Sequence, residues 1–298
     1  MDYSVIGKKI KELRKVVGLT QGDLAEDICT QALISRMEKG DIYPSATALY
    51  QISLKLGVDV NYFFEIGTTP RIDYFREVER QLRGFGLKRR FTEMMEMVRT
   101  ELKNPFFNKD NDKLQLLYWH KAIYLFEIEK DAESAFSLLE QAYQLTAHKK
   151  KAATEREMEI LMTIGTWETL LHHHKESLRY YQKVEAIMSH TQQLTDKSIK
   201  TRLFYNIARV LTQLGRYEES VEYCLKAIKW CLDEEHLWGL GELHYHVGYN
   251  YEMDGDYEKA LPYVEKAIQM FQLRKDDTHS AFLERRKQEI VSKLKGGN

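Results

Sequence analysis

The sequence predicts an all-α chain: a small helical bundle at the N-terminus, then a stack of helical hairpins. Three observations carry this. Four prolines and 16 glycines are few breakers for 298 residues, and Leu, Glu, Lys and Ala abound. Apolar residues recur at helical spacing, with no alternating strand pattern. Beyond about residue 73, short motifs return at a near-constant interval.

Composition narrows the class. The length suits two domains and a large core. No apolar run approaches the roughly 18 residues of a membrane span, and the lysines near the N-terminus are followed by no apolar block of a signal peptide. Three scattered cysteines argue against a disulfide framework. A cytoplasmic protein without membrane association is expected. The formal net charge is −1, so any nucleic-acid contact must rest on a local patch, such as Lys8, Lys9, Lys11, Arg14 and Lys15.

Helix one runs from about Val5 to Val17, with Ile6, Ile10 and Leu13 inward. Gly18 ends it. Thr20 is a natural N-cap, with Asp23 in the capping-box position, and Gln21 follows at a helix start suited to a phosphate. Leu24, Ala25 and Ile28 form the inner face of helix two. After a turn at Cys29 and Thr30, helix three carries Ile34 and Met37 inward and leaves Gln31, Ala32, Ser35 and Arg36 outside. Those types fit base readout: Gln pairs with adenine, Arg with guanine, and Ala packs on a thymine methyl. Pro44 and Ser45 open a fourth helix bearing Leu49, Ile52 and Leu56, and Val58, Tyr62 and Phe63 close the bundle.

Residues 5–64 resemble the lambda-repressor-type helix-turn-helix, the XRE family. The pieces that match are Ile10-Lys11-Leu13-Arg14, Gly18-Leu19-Thr20-Gln21, Leu24-Ala25, Ile34-Ser35-Arg36 and Glu38-Lys39-Gly40. The resemblance implies an ion pair between Arg14 and Glu38, a phosphate contact from Gln21, and Gln31, Ala32 and Arg36 in the major groove. The DNA-facing set is therefore Gln21, Thr30, Gln31, Ala32, Ser35 and Arg36. The turn around Cys29 departs from the phage repressors by about a residue.

Residues 67–72 read as a hinge between a DNA-binding domain over 1–66 and a repeat domain over 73–298. Residues 204–220 align without gaps on residues 244–260, and both continue into Lys-Ala-Ile, at Lys226 and Lys266. These segments resemble tetratricopeptide repeats, with turns at Gly215-Arg216-Tyr217 and Gly255-Asp256-Tyr257 and small residues at Ala227 and Ala267. Weaker copies precede them, the first over Asp73–Leu102. The markers Met94, Ala135, Ser177, Ser220 and Ala260 recur every 40 to 43 residues, above the usual period of about 34. About five degenerate repeats and a capping helix over 276–295 imply a right-handed solenoid.

Such a solenoid offers a concave groove lined by the first helix of each pair. On this register it receives His120 and Tyr124, Met162 and Thr166, then Tyr205, Asn206 and Arg209, then Tyr245, His246 and Tyr249. The Asn206 amide both donates and accepts, as an extended peptide backbone requires. Arg89, between Lys88 and Arg90, is a candidate for a carboxylate at one end of the groove. The alternative for each is helix packing or a solvated face. His172-His173-His174 lacks a partner at ligand spacing, so no metal is expected. Neither a phosphate-cradling loop nor a nucleophile–base set is present, so no cofactor and no enzyme activity are expected.

A helix-turn-helix joined to degenerate tetratricopeptide repeats resembles the RNPP family of peptide-sensing regulators, and its PlcR-like branch in particular. The resemblance implies a homodimer that binds a short linear signalling peptide in the groove and a palindromic operator in double-stranded DNA. A protein-interaction adaptor and a ligand-independent dimeric repressor are the alternatives.

Overall fold

The computed structural model describes residues 3–68, 72–147, 153–191 and 193–296, and these are helical with no strand. The chain divides into two compact units, Met1–Arg90 and Phe91–Asn298.

The first unit holds α1 (Tyr3–Val17), α2 (Gln21–Ala25), α3 (Gln31–Lys39), α4 (Ala46–Leu56), α5 (Val60–Thr68) and α6 (Ile72–Leu87). Ile6, Ile10, Leu24, Ile34, Leu49, Ile52 and Phe63 are fully buried in one core. Each of these residues lies on the face its spacing predicts. Start and stop signals act where the sequence puts them. The Thr20 hydroxyl accepts from Asp23 N (3.1 Å) while the Asp23 carboxylate accepts from Thr20 N (2.8 Å). Ser45 caps α4 through one such bond, its hydroxyl accepting from Ala48 N (3.1 Å). Gly18, Gly40 and Gly57 end their helices at positive φ, where a Cβ would be strained. Short α2 gains a further C-terminal cap from Lys55, whose Nζ donates to Asp23 O (2.9 Å) and Glu26 O (2.5 Å).

α1 crosses α3 at Gly7, where an added Cβ would lie 1.9 Å from the Met37 carbonyl oxygen. Only glycine permits so close an approach.

α6 packs on the bundle core through Ile72 and Phe75. Asp73 accepts from the Tyr62 hydroxyl (3.2 Å) and pairs with Lys9 (3.6 Å). Composition marks a boundary at 67–72, yet the compact unit continues to Arg90 because those apolar contacts hold α6 to it. Residues 69–71 of the expected hinge lie outside the described residues.

The second unit begins with α7 (Phe91–Leu102) and the short α8 (Pro105–Asn108). Four hairpins follow: α9 (Asn111–Tyr124) with α10 (Ala132–Ala147), α11 (Glu155–Leu170) with α12 (His174–Ser189), α13 (Ser198–Gln213) with α14 (Tyr217–Asp233), and α15 (Leu240–Met253) with α16 (Tyr257–Leu273). A π-helical turn, Leu125–Glu129, ends α9. α17 (Asp277–Gly296) packs on α16 through Leu283 and Ile290.

The repeat is visible in the backbone. Lys130, His172, Gly215 and Gly255 each sit at positive φ, two residues before the second helix of a hairpin. It is visible in hydrogen bonds too. Ser177 Oγ donates to Gly165 O (2.7 Å), and Ser220 Oγ makes the same bond to Ala208 O (2.8 Å). Small residues at 165 and 208 bring paired helices close; a Cβ on Gly165 would lie 2.7 Å from the Tyr181 ring.

Candidate DNA-reading face and repeat-unit cavity

α3 presents Gln31, Ala32 and Arg36 as exposed side chains and Ser35 as half-buried, while Ile34 and Met37 enter the core. The alternation follows from helical geometry: residues three and four apart share a face. Thr30 is already committed, since its hydroxyl caps α3 by accepting from Leu33 N (3.3 Å).

A chain of hydrogen bonds fixes α3 to the rest of the unit. Arg14 Nε donates to Glu38 Oε1 (2.5 Å) and Nη2 to Glu38 Oε2 (3.0 Å). Arg14 Nη1 donates to Leu19 O, at the start of the α1–α2 connection (2.8 Å). Gln21 Nε2 donates to Glu38 Oε2 (2.8 Å), and Gln31 Nε2 donates to Gln21 Oε1 (2.9 Å). Burial pushes the Glu38 carboxyl up, but the bonds from Arg14 and Gln21 outweigh it and leave it below the ordinary carboxylate range. The network joins the C-terminal end of α3, the start of α2 and the start of α3, so Gln21 and Gln31 are oriented before any ligand arrives.

The basic cluster read from the sequence divides in two. Arg14 serves Glu38. Lys9 lies over the Tyr62 ring and pairs with Glu12 and Asp73. Lys8, Lys11 and Lys15 remain exposed, and they carry the local positive charge along with Arg36 and Lys39 of α3.

In the second unit a cavity of about 350 Å³ draws on successive hairpins. α9 supplies Trp119; α11 supplies Glu159, Met162, Thr163 and Thr166; α13 supplies Arg202, Tyr205 and Asn206. Trp238, in the connection before α15, completes it. Arg202 Nη2 donates to Glu159 Oε1 (2.8 Å) and to Asp196 Oδ2 (3.3 Å). Thr166 Oγ1 lies 3.1 Å from the Tyr181 hydroxyl. The Asn206 amide has no hydrogen-bond partner among the described residues. Burial pushes the Tyr205 phenol up.

Of the residues read as groove-lining, the structure brings Met162, Thr166, Tyr205 and Asn206 together here. Others lie elsewhere. Arg209 is exposed, its guanidinium 5.9 Å from the Tyr205 ring centre. Tyr245 and Tyr249 are half-buried in an aromatic group with Phe282. Tyr124 closes α9 and is half-buried outside the lining. His246 differs from expectation: it is 9% exposed, its Nε2 lies 3.0 Å from Thr212 Oγ1, and burial pushes it down to about 4. It belongs to a buried polar cluster with Thr212, Ser220 and Asn250. His120 is likewise interior, its Nδ1 held by Leu116 O (2.8 Å). Arg89 occupies a left-handed turn at the end of the first unit.

Sequence reasoning missed Trp119, Glu159, Arg202 and Trp238. The repeat itself held the signal for three of them. Trp119, Met162 and Tyr205 are spaced 43 apart, as are Glu159 and Arg202. In α9 the lining position is Trp119, one residue before His120. Trp238 lies in a connection and carries no periodic signal.

The chain resembles known proteins over both units. A model of the RNPP family C-terminal domain matches residues 80–291, and a helix-turn-helix model matches residues 10–63. Response regulator aspartate phosphatase E of Bacillus subtilis (strain 168) is 23% identical over 194 residues, 62% of this chain. The match spans half the length of that relative (50%). Among solved structures, Bacillus thuringiensis PlcR in complex with the peptide PapR7 and DNA superposes with a TM-score of 0.80 at 23% identity, covering 94% of this chain and 99% of that one. ComR from S. thermophilus, in complex with DNA and its signalling peptide ComS, gives 0.61 at 16% identity over 96% and 99%. The Streptococcus dysgalactiae SHP pheromone receptor Rgg2 gives 0.62 at 16% identity over 95% and 99%. At these identities the structures establish the fold. With most of its length inside one family model and a helix-turn-helix ahead of it, the chain belongs to the RNPP family.

Proposed function

We propose that this protein is a DNA-binding transcription regulator controlled by a short linear peptide held in the repeat-unit cavity. The observation that carries the reading is the coexistence of two prepared surfaces on one chain. One is the outward face of α3, with Gln31, Ala32, Ser35 and Arg36 anchored through Gln21, Glu38 and Arg14. The other is a cavity with the unpartnered Asn206 amide on its wall. PlcR and ComR, solved with peptide and DNA, support the same assignment. Arg89, Tyr124, Arg209, Tyr245, His246 and Tyr249 lie outside the cavity lining and remain candidates for ligand contact beyond it.

The mode of action is a homodimer in the cytoplasm that reads two half-sites about one helical turn, or a multiple, apart. Peptide changes DNA binding only insofar as it binds one state of the dimer more tightly than the other. No enzymatic step is part of this reading. A second reading, in which the repeats grip a protein partner, draws on the match to a phosphatase named for response regulators.

The test pairs two substitutions on the full chain. Sites are selected from randomised duplex DNA, and a pool of random linear heptapeptides is titrated by thermal shift. Arg36→Ala should relax base preference at one position, a discrimination loss of about 1–3 kcal/mol, and leave the peptide-induced shift intact. Asn206→Ala should do the reverse. Unchanged base preference in the first variant, or no thermal shift with any peptide, would overturn the respective half. Stoichiometric capture of a protein partner with no duplex selected would favour the second reading.

A further inference from the structure

A second cavity of about 210 Å³ adjoins the first, and Tyr205 and Trp238 line both. Its other walls are Thr201, Gly239, Glu242 and Leu243. The polar groups among them are already engaged. Thr201 Oγ1 lies 3.4 Å from Cys231 Sγ and 3.3 Å from His236 Nε2. Glu242 receives Arg274 Nη1 at 2.8 and 3.1 Å. What the cavity offers an incoming group is therefore apolar contact and exclusion of water. Its size is several times the roughly 30 Å³ of a liquid water and below the roughly 300 Å³ at which whole-ligand pockets begin. That is room for one side chain.

Trp238 lines both spaces. Its backbone is fixed: Gly239 follows at φ 78, and Trp238 O accepts from Cys231 Sγ (3.6 Å). Its side chain is not buried, the residue being 51% exposed. A large apolar ring left half in water over an apolar cavity gains by being covered. The larger cavity carries one guanidinium, Arg202. There Glu159 and Asp196 hold only the Nη2 of Arg202, so selection against an acid rests on the smaller cavity, whose charged wall is Glu242.

Resting on the peptide reading above, we propose that the ligand is a peptide anchored by one bulky apolar side chain. That side chain enters the smaller cavity beside Trp238 and covers its indole, while the peptide backbone lies in the larger cavity along Asn206. Trp238 is then a specificity-determining residue: it selects an aliphatic or aromatic anchor and disfavours an acidic one.

The experiment uses the full chain and four pools of linear heptapeptides, each random except for one fixed residue: Phe, Leu, Gln or Asp. Two quantities are read, the thermal midpoint and the acrylamide quenching of Trp238, taken as the difference between the native chain and Trp238→Phe. The Phe and Leu pools should raise the midpoint at concentrations about tenfold lower than the Gln and Asp pools and cut Trp238 quenching at least twofold. Trp238→Ala should lose the tenfold preference, the Phe and Leu pools then acting only at the concentrations the Gln and Asp pools need. Equal shifts from all four pools, an indole that stays quenchable, or a preference that survives Trp238→Ala would each overturn the anchor and leave the peptide reading standing. No shift from any pool would overturn both.

Discussion

Gly7→Ala sets two effects of opposite sign against each other. By helix propensity alone, alanine in the interior of α1 should stabilise by about 1 kcal/mol. The packing says otherwise. The new Cβ would lie 1.9 Å from the Met37 carbonyl oxygen and 3.0 Å from its carbon. Carbon–oxygen contacts of this kind settle near 3.3 Å or beyond, so α1 and α3 would have to part by roughly 1.4 Å. The obstacle is backbone, which cannot rotate aside as a side chain can. Overpacking of this sort costs about 1–3 kcal/mol, toward the upper end where backbone must move. Subtracting the propensity gain leaves a loss of about 2 kcal/mol, or roughly 30-fold in local opening. Native-state hydrogen exchange on the full chain reads this directly, in the α3 amides between Ile34 and Gly40. The matched control is Gly22→Ala, whose Cβ would meet nothing closer than Thr20 Oγ1 at 3.6 Å and should leave exchange unchanged or slower. If Gly7→Ala also leaves α3 exchange unchanged or slows it, the close-crossing argument is refuted.

Other perturbations test the remaining links. Glu38→Ala strands the Arg14 guanidinium and should destabilise the first unit by about 3–5 kcal/mol, measured as loss of protection in α1–α5 with the repeat unit unaffected; equal losses in both units would contradict it. Acid should weaken the two units in different windows. Burial pushes His244 and His246 down to about 4, whereas the unfolded chain takes up those protons near pH 6.5. Repeat-unit stability therefore falls as pH drops from about 6.5 to about 4. Glu38, held below its ordinary value, contributes stability that is lost only below about pH 4.3, where unfolded glutamates protonate, and through its folded value. Exchange at pH 7 and 5, with and without His244→Gln/His246→Gln, separates these; an identical fall in the double variant counts against the histidines. Finally, Cys224 and Cys231 are fully buried and burial pushes both thiols up, while Cys29 is only half-buried. A thiol reagent should modify Cys29 first and the other two at the rate of unfolding, as followed by intact mass.

The first unit was legible because its signals are local and redundant. Thr20 and Asp23 specify a helix start by their spacing alone, and Gly18, Gly40 and Gly57 specify the ends. The apolar positions from Ile6 to Phe63 then agree with both. The repeat unit was legible as a period and less so as a face. Tyr205 and Asn206 were placed because residues 204–220 align without gaps on 244–260. On the same alignment His246 falls in the groove, whereas the structure turns it into the interior. Its partners are Thr212, on the preceding hairpin, and the cluster with Ser220 and Asn250, and no spacing within one repeat reveals a bond to another. Trp238 escaped for a different reason: a side chain in a connection is positioned by the packing of its neighbours, which periodicity does not encode.

The left-handed turns give the repeat stack a direction for folding. Gly215 and Gly255 adopt positive φ without a Cβ to resist it, whereas Lys130 and His172 hold φ of 58 and 63 against theirs, at roughly 1–2 kcal/mol each. In a stack where each hairpin is stabilised mainly by its neighbours, such increments decide where order begins. The increments predict that the hairpins α13–α14 and α15–α16 close most readily and serve as the template onto which the earlier ones dock. In that order of folding, the earlier hairpins, which leave the ribosome first, wait for the template. Lys130→Gly and His172→Gly would shorten the wait and let the N-terminal side of the stack form as it is made.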